Sequence, residues 1–245
     1  MCCGEYEMET LGLRPMTLLD FPGKVACTVF LAGCNFRCPY CHNPSLVYHM
    51  EDSSAYTIEE FFSFLERRKN ILDGVCISGG EPMIHHNLDQ FITRIREMGF
   101  QVKLDTNGSF PNRLESLLSR HLLDYVAMDV KNDRNGYGRT VGLPSYTLES
   151  IQRSIDLLKK TPIPYEFRTT LVREFHGETN LVKLGEWLEG APLLYLQNFV
   201  VSETLVGTEE LTPFSAEGLQ HAAHLLGNYV ERVAIRGTDI SESEL

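Results

Sequence analysis

Three cysteines, Cys34, Cys38 and Cys41, stand within eight residues of a 245-residue chain that has only seven. They lie in "GCNFRCPYCHNP", residues 33–44, with the spacing C-x3-C-x2-C. Thiolates are soft metal ligands, and four of them normally hold an iron–sulfur cluster. A three-thiolate loop would leave one iron of a cubane cluster open for another molecule. The short intervals let one loop wrap the cluster, and Gly33 and Pro39 suit such a tight path. The alternative is zinc with a remote fourth ligand, His42 or Cys76, although the spacing departs from the usual C-x2-C pairs. His42 directly follows Cys41 and is poorly placed to reach the same ion.

Three further motifs combine polar side chains with glycine. Gly79-Gly80-Glu81-Pro82 either lets a backbone approach a ligand or makes a tight strand-to-helix turn. Asp105-Thr106-Asn107-Gly108 and Asp129-Val130-Lys131 each follow an apolar run. The two aspartates could share a cation or orient a cofactor, and each could equally be a helix cap or turn residue. Lys131 could pair with a ligand carboxylate or stay solvated. Arg168 lies inside "YEFRTTLV", where an unpaired charge would be costly, so it is expected to be paired or to face a ligand. Cys27 and Cys76 read as small core residues. Cys2 and Cys3 belong to the terminus, and the pairs His85-His86 and His221/His224 lack a third metal ligand.

These motifs need elements to position them. Strands are expected at 25–31, 74–78, 101–105, 125–130, 165–171 and 194–199, with a possible last one at 231–236. Several are apolar on both faces, as buried parallel strands should be. Helices are expected between them. Thr57 and Glu60 form a capping box, Asn87 precedes another helix, and Gly99 stands where that helix should end. Further helical patterns cover 147–160, 180–189 and 215–230. Alternation of this kind implies an α/β fold with a parallel sheet, doubly wound or curled into a barrel. Loops after parallel barrel strands open on one face, so the four motifs are expected to form one composite site. No linker or repeat divides the chain. Residues 1–237 read as a single domain, and 238–245 as a short acidic tail.

Bulk composition narrows the function classes. Net charge is −11, and no basic run exceeds "RRK" at 67–69, so a nucleic-acid footprint is missing. No apolar stretch approaches the length of a membrane helix. The polar N-terminus does not read as a signal peptide, and the odd cysteine count does not read as a disulfide framework. A reducing, cytoplasmic compartment is expected.

With these residues in view, the chain resembles the radical S-adenosylmethionine (SAM) superfamily. "GCNFRCPYCHNP" looks like its cluster loop and "SGGEP" (78–82) like its SAM-binding segment. The "CHN" ending, "LDTNG" (104–108) and "MDVK" (128–131) resemble the branch that activates glycyl radical enzymes. The opening "LLDFPGKVACTVFLAGCNFRCPYCHNP" is most similar to activators of the anaerobic ribonucleoside-triphosphate reductase. The resemblance implies a partial (β/α)6 TIM-like barrel and a 4Fe–4S cluster on Cys34, Cys38 and Cys41, with SAM chelating the open iron. It implies reductive SAM cleavage to a 5′-deoxyadenosyl radical that removes a Cα hydrogen from a glycine of the partner enzyme. It also implies SAM contacts from Gly79, Gly80 and Glu81, with Tyr40 near the adenine. Asn43, Asp105, Thr106, Asn107, Asp129, Lys131 and Arg168 would complete the pocket. A flavodoxin or ferredoxin would supply the electron.

One feature departs from the pyruvate formate-lyase activators, which carry a histidine near the end of the sixth strand. Here that segment reads "YLQNFVV", and Phe199 or its neighbours would flank the adenosine instead. Other radical SAM readings are a pyruvate formate-lyase-type activator and a small-molecule enzyme such as a 7-carboxy-7-deazaguanine synthase. That synthase group usually follows its third cysteine with aspartate. A zinc or iron–sulfur regulatory protein is the reading outside enzymes.

Overall fold

The computed structural model describes residues 8, 10–48, 55–202 and 204–236. Cys2, Cys3 and the acidic 238–245 segment lie outside the described residues. The chain divides into two compact units, one from Met1–Arg37, Asn43–Asp129 and Leu148–Tyr165, the other from Cys38–His42, Val130–Thr147 and Glu166–Leu245.

In the first unit, strands β1 (Thr10–Thr17), β2 (Ala26–Leu31), β3 (Tyr56–Thr57), β4 (Gly74–Gly79), β5 (Gln101–Thr106) and β6 (Tyr125–Asp129) form one sheet. β1 pairs antiparallel with β2 and β3, while β2, β4, β5 and β6 run parallel in that order. The expected strands stand within one residue of their predicted ends. β1 and β3 were not expected. Pro15 and Gly12 in β1 are poor strand formers, and the register of β1 shifts between Arg14 and Thr17, beyond the Thr10–Leu11 stretch that pairs with β3.

Side chains alternate across a strand, so the register assigns each residue to a face. Cys27, Val29, Leu31, Val75, Ile77, Val102, Leu104, Val126 and Met128 share one face and are all fully buried. The opposite face carries Thr28, Cys76, Ser78, Lys103, Asp105 and Tyr125. These strands are therefore not apolar on both sides as expected. Between these strands in sequence lie helices α1 (Pro44–Tyr48), α2 (Ile58–Glu66), α3 (Leu88–Glu97) and α4 (Pro111–Ser119). α5 (Tyr137–Thr140) belongs to the second unit, and α6 (Glu149–Lys160) again to the first.

The capping box is present: Glu60 N donates to Thr57 Oγ1 at 3.2 Å and Thr57 N to Glu60 Oε2 at 2.8 Å. Rings of Phe61, Phe62 and Phe91 on α2 and α3 pack 5.4 Å apart. Gly99 ends α3 in the left-handed region at φ 93°. Asn87 does not cap α3 with its side chain; its Oδ1 accepts from Met8 N instead. α4, not expected, starts on Pro111 at its first position and buries Leu114 and Leu117.

In the second unit, β7 (Tyr165–Leu171), β8 (Leu194–Asn198) and β9 (Val233–Arg236) run parallel, with α7 (Glu178–Leu188) and α8 (Ala216–Leu226) between them in sequence. α8 ends at Leu226, four residues short of the predicted end near 230, with Gly227 as its C-cap. Phe167, Leu194 and Leu196 form the buried face. Across it, Arg236 Nη2 donates to the buried Glu166 Oε1 at 2.7 Å and lies over the Tyr195 ring. Tyr137 packs between Tyr146 and Trp187.

Lys103 is the least expected residue of the first sheet. Its side chain has no solvent exposure and is ion-paired with Asp105, two residues along the same face. Removing one partner of a buried pair strands the other charge, at a cost of about 3 kcal/mol. Lys103→Met is expected to lower unfolding free energy by about that amount, and Lys103→Met with Asp105→Asn to recover most of it. Denaturant unfolding of the two variants measures both.

Candidate functional site

The cysteine loop begins where β2 ends. Gly33, at φ 89°, donates to Leu46 O at 2.7 Å, and Cys34 follows. Phe36 N donates to Cys34 Sγ at 3.4 Å, an arrangement that favours the thiolate. Arg37 folds back onto the carbonyls of Cys34 and Phe36 and stacks on Tyr48.

In the second unit, Cys38 is buried and Cys41 half-buried, with Cys41 N donating to Cys38 O at 3.0 Å. A strap from the β8–α8 connection pairs with this turn. Val206 N donates to Cys41 O and Gly207 N to Pro39 O, each at 3.0 Å. Position 207 must be glycine because a Cβ there would lie 2.8 Å from Pro39 Cα. Tyr40, between the two bonds, is buried with its ring 6.3 Å from that of Phe175. Asn43 has an exposed side chain, and its carbonyl accepts from Leu46 N and Val47 N to start α1.

The donor set fits an iron–sulfur cluster. All five described cysteines are reduced thiols, and only Cys34, Cys38 and Cys41 occupy a loop. Burial pushes the Cys27 thiol up to about 12, as befits a packing residue. Cys76 is fully buried in β4 with Lys103 Nζ 3.7 Å from its sulfur, which sets it apart from the loop as a fourth zinc ligand. Among the described residues no three His, Cys, Asp or Glu side chains gather around a point as a single ion requires. His85 is buried with Nε2 2.8 Å from Ala32 O, and His221 and His224 are exposed on α8.

The Gly79-Gly80-Glu81 and Asp105-Thr106-Asn107 segments are joined by one carboxylate. Glu81 has no solvent exposure. Its Oε1 accepts from Met83 N at 3.1 Å and from Thr106 Oγ1 at 2.9 Å, and its Oε2 accepts from Asn107 N at 2.6 Å. Burial pushes this carboxyl up to about 7, held from rising further by the Asn107, Met83 and Thr106 donors. The two glycines answer a backbone crossing: a Cβ on Gly79 would lie 2.2 Å from Leu31 O, and one on Gly80 2.1 Å from Gly33 O. Gly80 N donates to Leu31 O and Glu81 N to Gly33 O, both at 2.9 Å. Asp105 Oδ2 accepts from Ser78 Oγ at 3.0 Å, and its other oxygen meets Lys103. Asp129, half-buried, adds negative potential at Glu81.

In the second unit Lys131 is half-buried, and its carbonyl lies 2.9 Å from His176 Nε2. His176 Nδ1 stands 3.0 Å from Val172 N, so the ring bridges the two segments as the Nε2–H tautomer. Burial lowers its pKa and keeps it neutral. Arg168 is buried on β7, and its carbonyl accepts from Val130 N. Phe199 is buried at the end of β8. Lys103 and His176 were missed in the sequence. A lysine inside the apolar run "QVKLD" was the available signal for the first.

Two outcomes follow from this geometry. Gly80→Ala should destabilise the protein by at least about 2 kcal/mol, because backbone must move to admit the methyl group. For Glu81, the folded carboxyl holds a proton that the unfolded chain has released between pH about 4.5 and about 7. The Glu81 contribution to stability should therefore fall as pH rises through that window. Glu81→Gln should remove this slope and lower stability by about 1–3 kcal/mol, since its NH2 must face one of two backbone N–H groups. Unfolding free energies across pH 4.5–7.5 measure both effects.

Comparison with known proteins shows the family to which the chain belongs. The model of the radical SAM superfamily matches residues 28–182. A Methanocaldococcus jannaschii protein, named as a candidate glycyl-radical enzyme activating enzyme, is 33% identical over 230 residues, 92% of this chain and 94% of its own. The pyruvate formate-lyase-activating enzyme of Staphylococcus aureus is 29% identical over 196 residues, 75% and 74% of the two chains. Among solved structures, QueE from Escherichia coli is similar in fold, with a TM-score of 0.52 at 17% identity over 95% of this chain and 94% of that one. On the family match and the near full-length similarity, the chain belongs to the radical SAM superfamily, whose cofactors are a 4Fe–4S cluster and SAM.

Proposed function

We propose that the protein is a radical SAM activating enzyme that installs a glycyl radical on a partner enzyme, anaerobic ribonucleoside-triphosphate reductase. The observation that carries the activating role is the 33% identity, over nearly both full chains, to a relative named for it. The reductase as partner rests on the likeness of residues 18–44 to reductase activators and on "YLQNFVV" lacking the histidine of the pyruvate formate-lyase type. Activation of pyruvate formate-lyase is the second reading, favoured by the 29% identity to the S. aureus enzyme.

Cys34, Cys38 and Cys41 would hold the cluster. When bound, cluster and SAM together supply a one-electron cleavage whose 5′-deoxyadenosyl radical takes a glycine Cα hydrogen. The chain's own part is placement. Because the Gly80 and Glu81 N–H groups are engaged by Leu31 and Gly33, the carbonyls of Gly79 and Gly80 are the groups offered to the SAM amino group. Glu81 fixes that turn from beneath. Tyr40 would lie against the adenine, and Lys131 and Arg168 would meet the SAM carboxylate. Asp105, Asp129 and Asn43 would complete the surroundings by their motif positions. A flavodoxin or ferredoxin is the proposed electron donor and the cytoplasm the proposed compartment.

Anaerobic reconstitution with iron and sulfide, reduction with dithionite and addition of SAM should yield 5′-deoxyadenosine and methionine. Electron paramagnetic resonance should show a glycyl doublet only when the reductase is present. A doublet only with pyruvate formate-lyase would select the second reading, and cleavage with no protein radical would point to a small-molecule substrate. Cys38→Ala should abolish cluster binding and cleavage while leaving the fold intact; retained cleavage would contradict the ligand assignment.

A further inference from the structure

The Cys34 side of the loop is anchored by a contact absent from every motif above. Asn107 Nδ2 donates to Asn35 Oδ1 at 2.9 Å, and Asn35 Nδ2 donates to Ser109 Oγ at 2.9 Å. Asn107 Oδ1 in turn accepts from Ser109 N at 3.0 Å. The two amides and Ser109 close a small ring of directional hydrogen bonds. Asn107 is itself fixed, since its backbone N–H donates to the fully buried Glu81 and its side chain is sequestered.

We infer that Asn35 and Asn107 form an amide clasp that positions the first cysteine of the cluster loop, making both of them positioning residues. This rests on the reading of Cys34 as a cluster ligand. Asn35 is the next residue after Cys34, so fixing its side chain fixes the peptide from which the Cys34 thiolate projects. Asn107, implied by family resemblance to contact SAM, has its amide directed to Asn35 and to its own turn. The chain of contacts runs from Glu81 through Asn107 to Asn35. It thereby ties the turns after β4 and β5 to the loop after β2. Thiolate ligands that are held in place detach more slowly, so the clasp should govern how readily the cluster is lost.

The test is iron release from the reconstituted full-length protein to a ferrous chelator, under anaerobic conditions and without SAM. Asn35→Ala and Asn107→Ala should each release iron about fivefold faster than wild type, the equivalent of one hydrogen bond of about 1 kcal/mol. The double variant should be little faster than either single one, because both remove the same contact. Both single variants should also shift the resonance of the reduced cluster in the same way. Wild-type release rates in both variants, or a change in Asn107→Ala alone, would overturn the clasp while leaving the cluster assignment standing. A wild-type protein that assembles no cluster would overturn both. If Asn107→Ala does not fold, the half-buried Asn35 carries the test through Asn35→Ala.

Discussion

Glu81 carries a carboxylate with no exposure to solvent, and the loops of the first unit that bear the sequence motifs are organised around it. Burial of such a group is tolerated only if donors replace the water it loses. Met83 N, Thr106 Oγ1 and Asn107 N do so, and they come from two different turns. The requirement works in both directions. The carboxylate needs both turns in place, and each turn is tied to the other through the hydrogen bonds they share on it. Gly79 and Gly80 belong to the same constraint, since their backbones pass close to Leu31, Gly33 and Leu46. A side chain there would separate the β4 turn from the cysteine loop.

The parallel strands separate two tasks between their faces. The apolar face of β2, β4, β5 and β6 supplies burial of nine residues with no exposure, which is the hydrophobic driving force of the first unit. The other face gathers Ser78, Lys103 and Asp105, joined by ion pairing and a hydrogen bond, and Thr28, whose hydroxyl donates to Asp20. Polar groups cost stability unless mutually satisfied, and here they are paired. The second unit follows the same division, with Glu166 and Arg236 paired across the face opposite Phe167, Leu194 and Leu196.

The positions of most strands were legible because parallel strands are short runs of β-branched and aromatic residues bounded by glycine or acidic residues. The Thr57 capping box was legible because both partners lie within three residues. Contacts between distant residues were not. Asn35 meets Asn107 at a separation of 72 residues, and His176 meets Lys131 at 45, so neither pairing leaves a local pattern. β1 was hidden by Pro15, which is accommodated because it falls at the register shift and beyond the two residues that pair with β3. Glu81 was legible as part of a motif, but its burial was not. Its neighbours Gly79 and Gly80 were open to two readings, approach to a ligand or a tight turn, and the close passage of Leu31 and Gly33 backbone at their Cβ positions left no local pattern.

The central claim is that Cys34, Cys38 and Cys41 hold a four-iron cluster with one iron open to SAM. Mössbauer spectroscopy of the anaerobically reconstituted protein, with and without SAM, tests it most directly. The account predicts a 4Fe–4S spectrum in which SAM changes the parameters of one iron and leaves the other three unaltered. A spectrum indifferent to SAM, or a protein that takes up zinc and assembles no cluster, would contradict it.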